Sequence, residues 1–160
     1  MNVGILTVSD RSYQGLRPDT AGPALRDIAE RKGWTVAATE IVPDDRELIA
    51  MVLKNWADHR RLDMIFTTGG TGIGPRDVTP DTTKPLLDKE LSGLAAYLMF
   101  EGMKTNPNAV LSRAVAGVRG KTIVLNLPGN PKGAADSLAR AIPLLEHAHA
   151  MVLGDNHDHR

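Results

Sequence analysis

The chain has 160 residues, 42% of them hydrophobic and 24% charged, the balance of a folded domain with a real core. Nineteen basic and nineteen acidic residues cancel to a formal net charge of zero, so there is no broad electrostatic warrant for nucleic-acid or membrane partners. The absence of cysteine excludes disulfides, thiolate metal sites, iron–sulfur clusters and a thiol nucleophile.

Residues 3–9 are a short apolar, β-branched run and predict a buried strand. That run is too short for a secretory signal and has no basic flank, and no window approaches the length of a membrane span. A cytoplasmic location is the expectation. Residues 12–19 read as a polar loop. From Thr20 the pattern turns helical, with Leu25, Ile28 and Ala29 at core-facing spacing and Gly33 where a C-terminal cap belongs. Residues 35–42 predict a second strand, broken by Pro43-Asp44-Asp45. Leu48, Ile49, Val52, Leu53 and Trp56 then form one helical stripe.

Residues 63–68 predict a third strand that runs into a glycine loop. Helices are expected over 79–88, with Pro80 in its first turn, and over 91–103. A further strand follows at 122–127 and a long helix at 131–153. Residues 1–154 are read as one domain and 155–160 as a polar tail carrying His157 and His159. The six aromatic residues are scattered and offer no stacking platform for single strands. Met99 and Met103 read as core or subunit contacts. His147 and His149, two apart, do not share a helix face.

Strands separated by helices predict an α/β fold with a largely parallel sheet covered on both faces. Ligands of such folds bind beyond the carboxyl ends of the strands, here the loops after Val8, Val42, Phe66 and Leu125.

The strongest of these loops is Thr67-Thr68-Gly69-Gly70-Thr71-Gly72-Ile73-Gly74. Four glycines in six positions allow sharp turning and close approach to a ligand, and successive amides there form an anion cradle. A tight strand-to-helix turn explains the same glycines. Neither a Walker sequence nor a dinucleotide fingerprint follows. Directly after come Pro75-Arg76-Asp77-Val78-Thr79-Pro80-Asp81. Arg76 suits a phosphate and Asp77 suits Mg²⁺. Thr79 reads as a helix N-cap, and Asp81 as a charge favouring the positive end of that helix.

Asp44 and Asp45 end the second strand. One of the pair suits a helix cap and the other a metal, and the metal role is assigned to Asp44. The loop Asn126-Leu127-Pro128-Gly129-Asn130-Pro131-Lys132 is a rigid turn ending at a helix N-terminus, a natural anion site. Asn126 and Asn130 have the paired donors and acceptors that read a heterocycle edge, although a capped turn explains them equally. Ser9 closes the first strand on the same rim, with Asp10 and Arg11 readable as a surface pair. Ser112 and Arg113 add a hydroxyl and a guanidinium whose placement the sequence does not fix.

Five segments together resemble the molybdopterin adenylyltransferase family of the MoaB/MogA type, which has gephyrin among its relatives. They are Val8-Ser9-Asp10-Arg11, Ile41-Val42-Pro43-Asp44, residues 67–81, Leu111-Ser112-Arg113 and residues 126–131. The resemblance covers nearly the whole chain. It implies a three-layer α/β/α sandwich, assembled as a homotrimer or a higher homo-oligomer. It also implies ATP and molybdopterin as substrates, Mg²⁺ as cofactor, and a downstream metal-insertion protein as partner. The family's two important acidic positions fall on Asp44 and Asp77. Ser9, Gly69, Gly70, Thr71, Gly72, Arg76, Ser112, Asn126, Pro128, Gly129 and Asn130 are the expected substrate contacts. A non-catalytic molybdopterin carrier is the alternative expectation, and a Mg²⁺-dependent nucleotide hydrolase a third.

Overall fold

The apolar runs at 3–8, 64–68 and 122–127 become central strands because each can bury both faces. The computed structural model describes residues 1–155. Its strands are β1 (Asn2–Val8), β2 (Thr35–Val42), β3 (Met64–Thr68), β4 (Lys89–Glu90), β5 (Ala116–Arg119) and β6 (Thr122–Leu127). They form one sheet of order β2-β1-β3-β6-β5-β4. The first four in that order run parallel, and β5 and β4 are antiparallel to their neighbours. The helices are α1 (Asp10–Tyr13), α2 (Ala21–Arg31), α3 (Arg46–Lys54), α4 (Thr79–Thr83), α5 (Ser92–Met103) and α6 (Pro131–Val152).

Alternate side chains of each strand serve opposite cores. Val3, Ile5, Met64, Phe66, Ile123 and Leu125 pack against α2, α5 and α6. Trp34 stacks on Phe66 there, with ring centroids 6.2 Å apart. Leu6, Val8, Ile65 and Val124 face the other way, against Ile49, Val52 and Leu53 of α3 and the Trp56 ring. Gly4 permits that contact, since a Cβ on it would stand 2.6 Å from the indole. The result is the expected three-layer sandwich.

Several elements differ from expectation. The helix predicted over 79–88 stops at Thr83 and tightens into a 3₁₀ turn, Lys84–Leu86, where Pro85 has no amide to donate. Residues 10–13 form a short helix that takes up the first two residues of the predicted loop. The stripe after Asp45 continues through a π-helical turn, Asn55–His59. Strands β4 and β5 were not anticipated. Gly33 does close α2, with φ of 88°. Of the polar tail assigned to 155–160, all but Asp155 lies outside the described residues. No helix of the described residues is long and apolar enough to cross a membrane.

Candidate functional site

The parallel strands all end on one rim, so the loops after β1, β2, β3 and β6 meet there. Backbone bonds tie them pairwise, Ser9 N to Val42 O at 2.9 Å and Gly69 N to Leu127 O at 3.2 Å. Gly69 and Gly70 adopt φ of 100° and 68°, a region that favours glycine. A Cβ on Gly69 would press into the Val8 carbonyl oxygen, and one on Gly70 into the Thr79 hydroxyl. These loops enclose a cleft of about 500 Å³.

Asp44 and Asp77 both line this cleft, reaching it from separate turns. Asp45 caps α3, its Oδ1 accepting from Leu48 N at 3.0 Å. Asp45 thus takes the expected cap, and Asp44 is left facing the cleft. A Cβ on Gly70 would come within 3.0 Å of Asp44 Oδ1, so the carboxylate lies against the glycine loop. Asp44 and Asp10 exchange bonds: Asp10 N donates to Asp44 Oδ2 and Asp44 N to Asp10 Oδ1, each at 3.0 Å. Arg76 then spans both Asp10 oxygens, at 3.0 and 2.9 Å.

Asp10 is therefore no surface partner of Arg11, and the Arg76 guanidinium is engaged by a carboxylate. Arg76 holds the Asp10 carboxyl below its usual range. Asp44 shifts the other way. Burial pushes its pKa up, and the like charges of Asp10 and Asp77 add to that push against the amide bond from Asp10. A partly buried carboxylate crowded by two others is an environment that a cation relieves. Hard oxygen donors also suit Mg²⁺, which keeps waters and substrate phosphates in its shell rather than requiring a full protein cage. Among the described residues no three acidic or histidine side chains converge as a metal cluster. Two carboxylates with open positions fit a cation shared with a phosphorylated substrate.

The glycine loop is pinned from beneath. Thr79 does not act as a side-chain cap; its buried hydroxyl donates to Gly69 O at 2.9 Å. Asp77 Oδ2 accepts from Gly74 N at 2.9 Å. Asp81 is engaged by Arg113 through both carboxylate oxygens, at 2.9 and 3.0 Å, rather than by a helix end alone. Asn126, expected to read a heterocycle, spends its amide inside the fold. It accepts from Val115 N and donates to Thr67 Oγ1 and Thr83 Oγ1. It fixes β6 to α4 beneath the loops.

The expected substrate contacts divide between two cavities. Ser9, Gly69, Gly70 and Gly129 share the acidic cleft with Asp44 and Asp77. Thr71, Gly72, Ser112 and Pro128 line a neighbouring, more apolar cavity of about 690 Å³ beside α5, where Asn126 also borders. Asn130 borders both and caps α6, its Oδ1 accepting from Gly133 N at 2.9 Å. Arg76 lines neither.

Sequence reasoning missed Thr7, Arg17, Asp19 and Thr20, which form the far wall of the cleft. Asp19 accepts from Thr7 Oγ1 at 2.8 Å and from Gly22 N at 3.0 Å. An aspartate three residues ahead of a helical glycine is a capping signal that was legible in the chain.

The comparisons with known proteins agree with this fold. Residues 4–147 match the family described as "Probable molybdopterin binding domain". The molybdenum cofactor synthesis protein cinnamon of Drosophila melanogaster is 42% identical over 96% of this chain. The chain spans only about a quarter of cinnamon's length, 26%. The molybdopterin adenylyltransferase of Helicobacter pylori strain J99 is 34% identical over 97% of the chain and 89% of its own length. A crystal structure of the molybdopterin biosynthesis enzyme MoaB from Thermus thermophilus superposes with a TM-score of 0.90 at 51% identity, covering 96% of this chain and 97% of that one. With the glycine loop, both acidic positions and all of the sheet but the first two residues of β1 inside the matched span, this chain belongs to the molybdopterin-binding domain family.

Proposed function

We propose that this chain is an adenylyltransferase of molybdenum cofactor biosynthesis, which transfers the adenylyl group of ATP to the phosphate of molybdopterin. The observation that carries this reading is the arrival of Asp44 and Asp77, from separate turns, in one cleft beside the glycine loop. The H. pylori relative that this chain nearly spans bears that activity in its name. In the reaction a phosphate oxygen of the pterin bonds to the α-phosphorus of ATP. The bond from that phosphorus to the β-bridging oxygen breaks, and pyrophosphate leaves. Such chemistry needs positioning and charge neutralisation more than a covalent nucleophile.

Asp44 and Asp77 are the residues that would hold Mg²⁺. When bound, the ion supplies Lewis-acid charge neutralisation at the phosphates. The amides from Gly70 to Gly72 would cradle phosphate, and Arg11 and Arg17, which also line the cleft, would add positive charge for the triphosphate. The neighbouring apolar cavity gives a second substrate room within reach of the same loop.

Mixing the protein with ATP, Mg²⁺ and molybdopterin should release pyrophosphate in proportion to pterin, with ATP alone as the control. Pterin binding without pyrophosphate would instead identify a carrier, and water-dependent turnover of a nucleotide without pterin a hydrolase.

Within this reading the protein works in the cytoplasm and hands adenylylated molybdopterin to a metal-insertion protein. It assembles as a homotrimer or higher homo-oligomer. Supporting that assembly, α5 leaves Tyr97 and Phe100 40% and 60% exposed, with Val110 and Leu111 also exposed in the turn after it. Light scattering reads the assembly directly, and a monomer at working concentration would end that part of the reading.

A further inference from the structure

One guanidinium outside both cavities touches both ends of the segment that carries Asp77. Arg113 lies between the 3₁₀ turn Pro107–Leu111 and β5. Its Nε donates to Gly72 O at 2.8 Å and its Nη2 to Asp77 O at 2.8 Å. Its Nη1 bridges both Asp81 oxygens. Its backbone N donates to Thr71 O at 2.9 Å. Residues 72–77 are therefore a loop closed from outside by one planar group. Inside the loop, Gly74 N reaches Asp77 Oδ2 and Asp77 N reaches Gly74 O.

We infer that Arg113 is a positioning residue that sets where the Asp77 carboxylate stands in the acidic cleft. Among the described residues the Asp77 carboxylate accepts a hydrogen bond from the Gly74 amide alone, which belongs to the same loop. Its placement relative to Asp44 therefore follows the loop's placement relative to the sheet. Arg113 reaches the loop at both ends and anchors it to Asp81 of α4. A guanidinium satisfies these three directions at once because its donors are fixed in one plane, whereas an ammonium is a single point of charge. The neighbouring Ser112 lines the apolar cavity with Thr71 and Gly72.

This inference rests on the proposed role of Asp77, and its test separates the two. Arg113→Lys and Arg113→Ala would be compared with the wild type in adenylyl transfer, in Mn²⁺ binding followed by the resonance of the free ion, and in thermal unfolding. The expected result for Arg113→Lys is a kcat lower by about a hundredfold with the KM for molybdopterin within about twofold, the pattern of misplacement rather than lost binding. Its Mn²⁺ affinity should fall by about tenfold or more, on the scale of a lost supporting contact to a ligand. Arg113→Ala should regain part of its kcat on addition of guanidinium chloride at non-denaturing concentration, and Arg113→Lys should not.

Wild-type kcat and Mn²⁺ affinity in Arg113→Lys would overturn the inference. So would a loss confined to the melting temperature with no rescue by guanidinium, which would make Arg113 structural only. A wild type without pyrophosphate release ends the adenylyltransferase reading but leaves the Mn²⁺ comparison decisive here. A wild type that binds no Mn²⁺ ends the inference as well.

Discussion

Asp77→Asn is expected to slow adenylyl transfer by about a hundredfold or more while changing molybdopterin binding by less than about twofold, a barrier increase of about 2.7 kcal/mol. The amide is the same size as the carboxylate and keeps an oxygen for the Gly74 amide, so the loop should survive. What disappears is one negative charge in the cleft. Asp77 is one of the charges that push the Asp44 pKa up, after burial and Asp10, so its removal also makes the neighbouring carboxylate easier to ionise. Folding should therefore be unchanged or slightly improved while turnover collapses. That opposition separates a functional carboxylate from a structural one. Single-turnover pyrophosphate release, with pterin binding followed separately, reads both quantities. Wild-type turnover in Asp77→Asn would remove this residue from the reaction.

The largest effect on stability is expected from Gly69→Ala. Three strand ends meet at this residue: its amide bonds to Leu127 O, a Cβ would run into the Val8 carbonyl, and Gly129 has its Cβ direction 3.4 Å from the Gly69 Cα. Its φ of 100° adds conformational strain for any side chain. Strain and overpacking together suggest a loss of about 2–5 kcal/mol, or roughly 10 °C in melting temperature for a chain of this size. Gly120→Ala is the internal comparison. It also has positive φ, 59°, but meets nothing within 4 Å, so it should lose only about 1–2 kcal/mol. Melting temperatures within a degree of each other would show that the close approach at Gly69 is unimportant.

Much of this site was legible because its parts are short-range signals. The strands at 3–9, 63–68 and 122–127 are buried on both faces and so read as apolar runs, whereas the edge strand at 35–42 is largely exposed and was legible from its β-branched residues and the Pro43 break. The glycines of 69–74 and the paired aspartates of 44–45 are local patterns with local causes. The assignment of Asp45 to the cap followed from its spacing to the helix.

What the chain did not disclose depends on contacts distant in sequence. Asp10 looked like a partner for its neighbour Arg11, yet its partners lie 34 and 66 residues away at Asp44 and Arg76. Thr79 and Asp81 looked like helix-terminal residues because the Gly69 carbonyl and the Arg113 guanidinium that engage them arrive from other elements. The Asn126 amide has the chemistry to read a ring edge, and only the packing of Thr67 and Thr83 around it shows where that capacity goes. Strands β4 and β5 escaped notice because two and four residues are too few for a period to declare itself. Gly117 in β5 even argues against a strand, until its closeness to the Lys89 carbonyl explains why a side chain has no room there.

The hairpin joining β5 to β6 turns through Gly120 and Lys121 where β6 begins, while the acidic cleft opens where β6 ends. Chemistry and this turn thus occupy opposite poles of the molecule. A fluorophore, an affinity handle or an entire guest domain tethered at the turn would ride with the protein at the full length of a strand from any phosphate. Lys121, exposed in the turn, is the natural mooring for such an attachment.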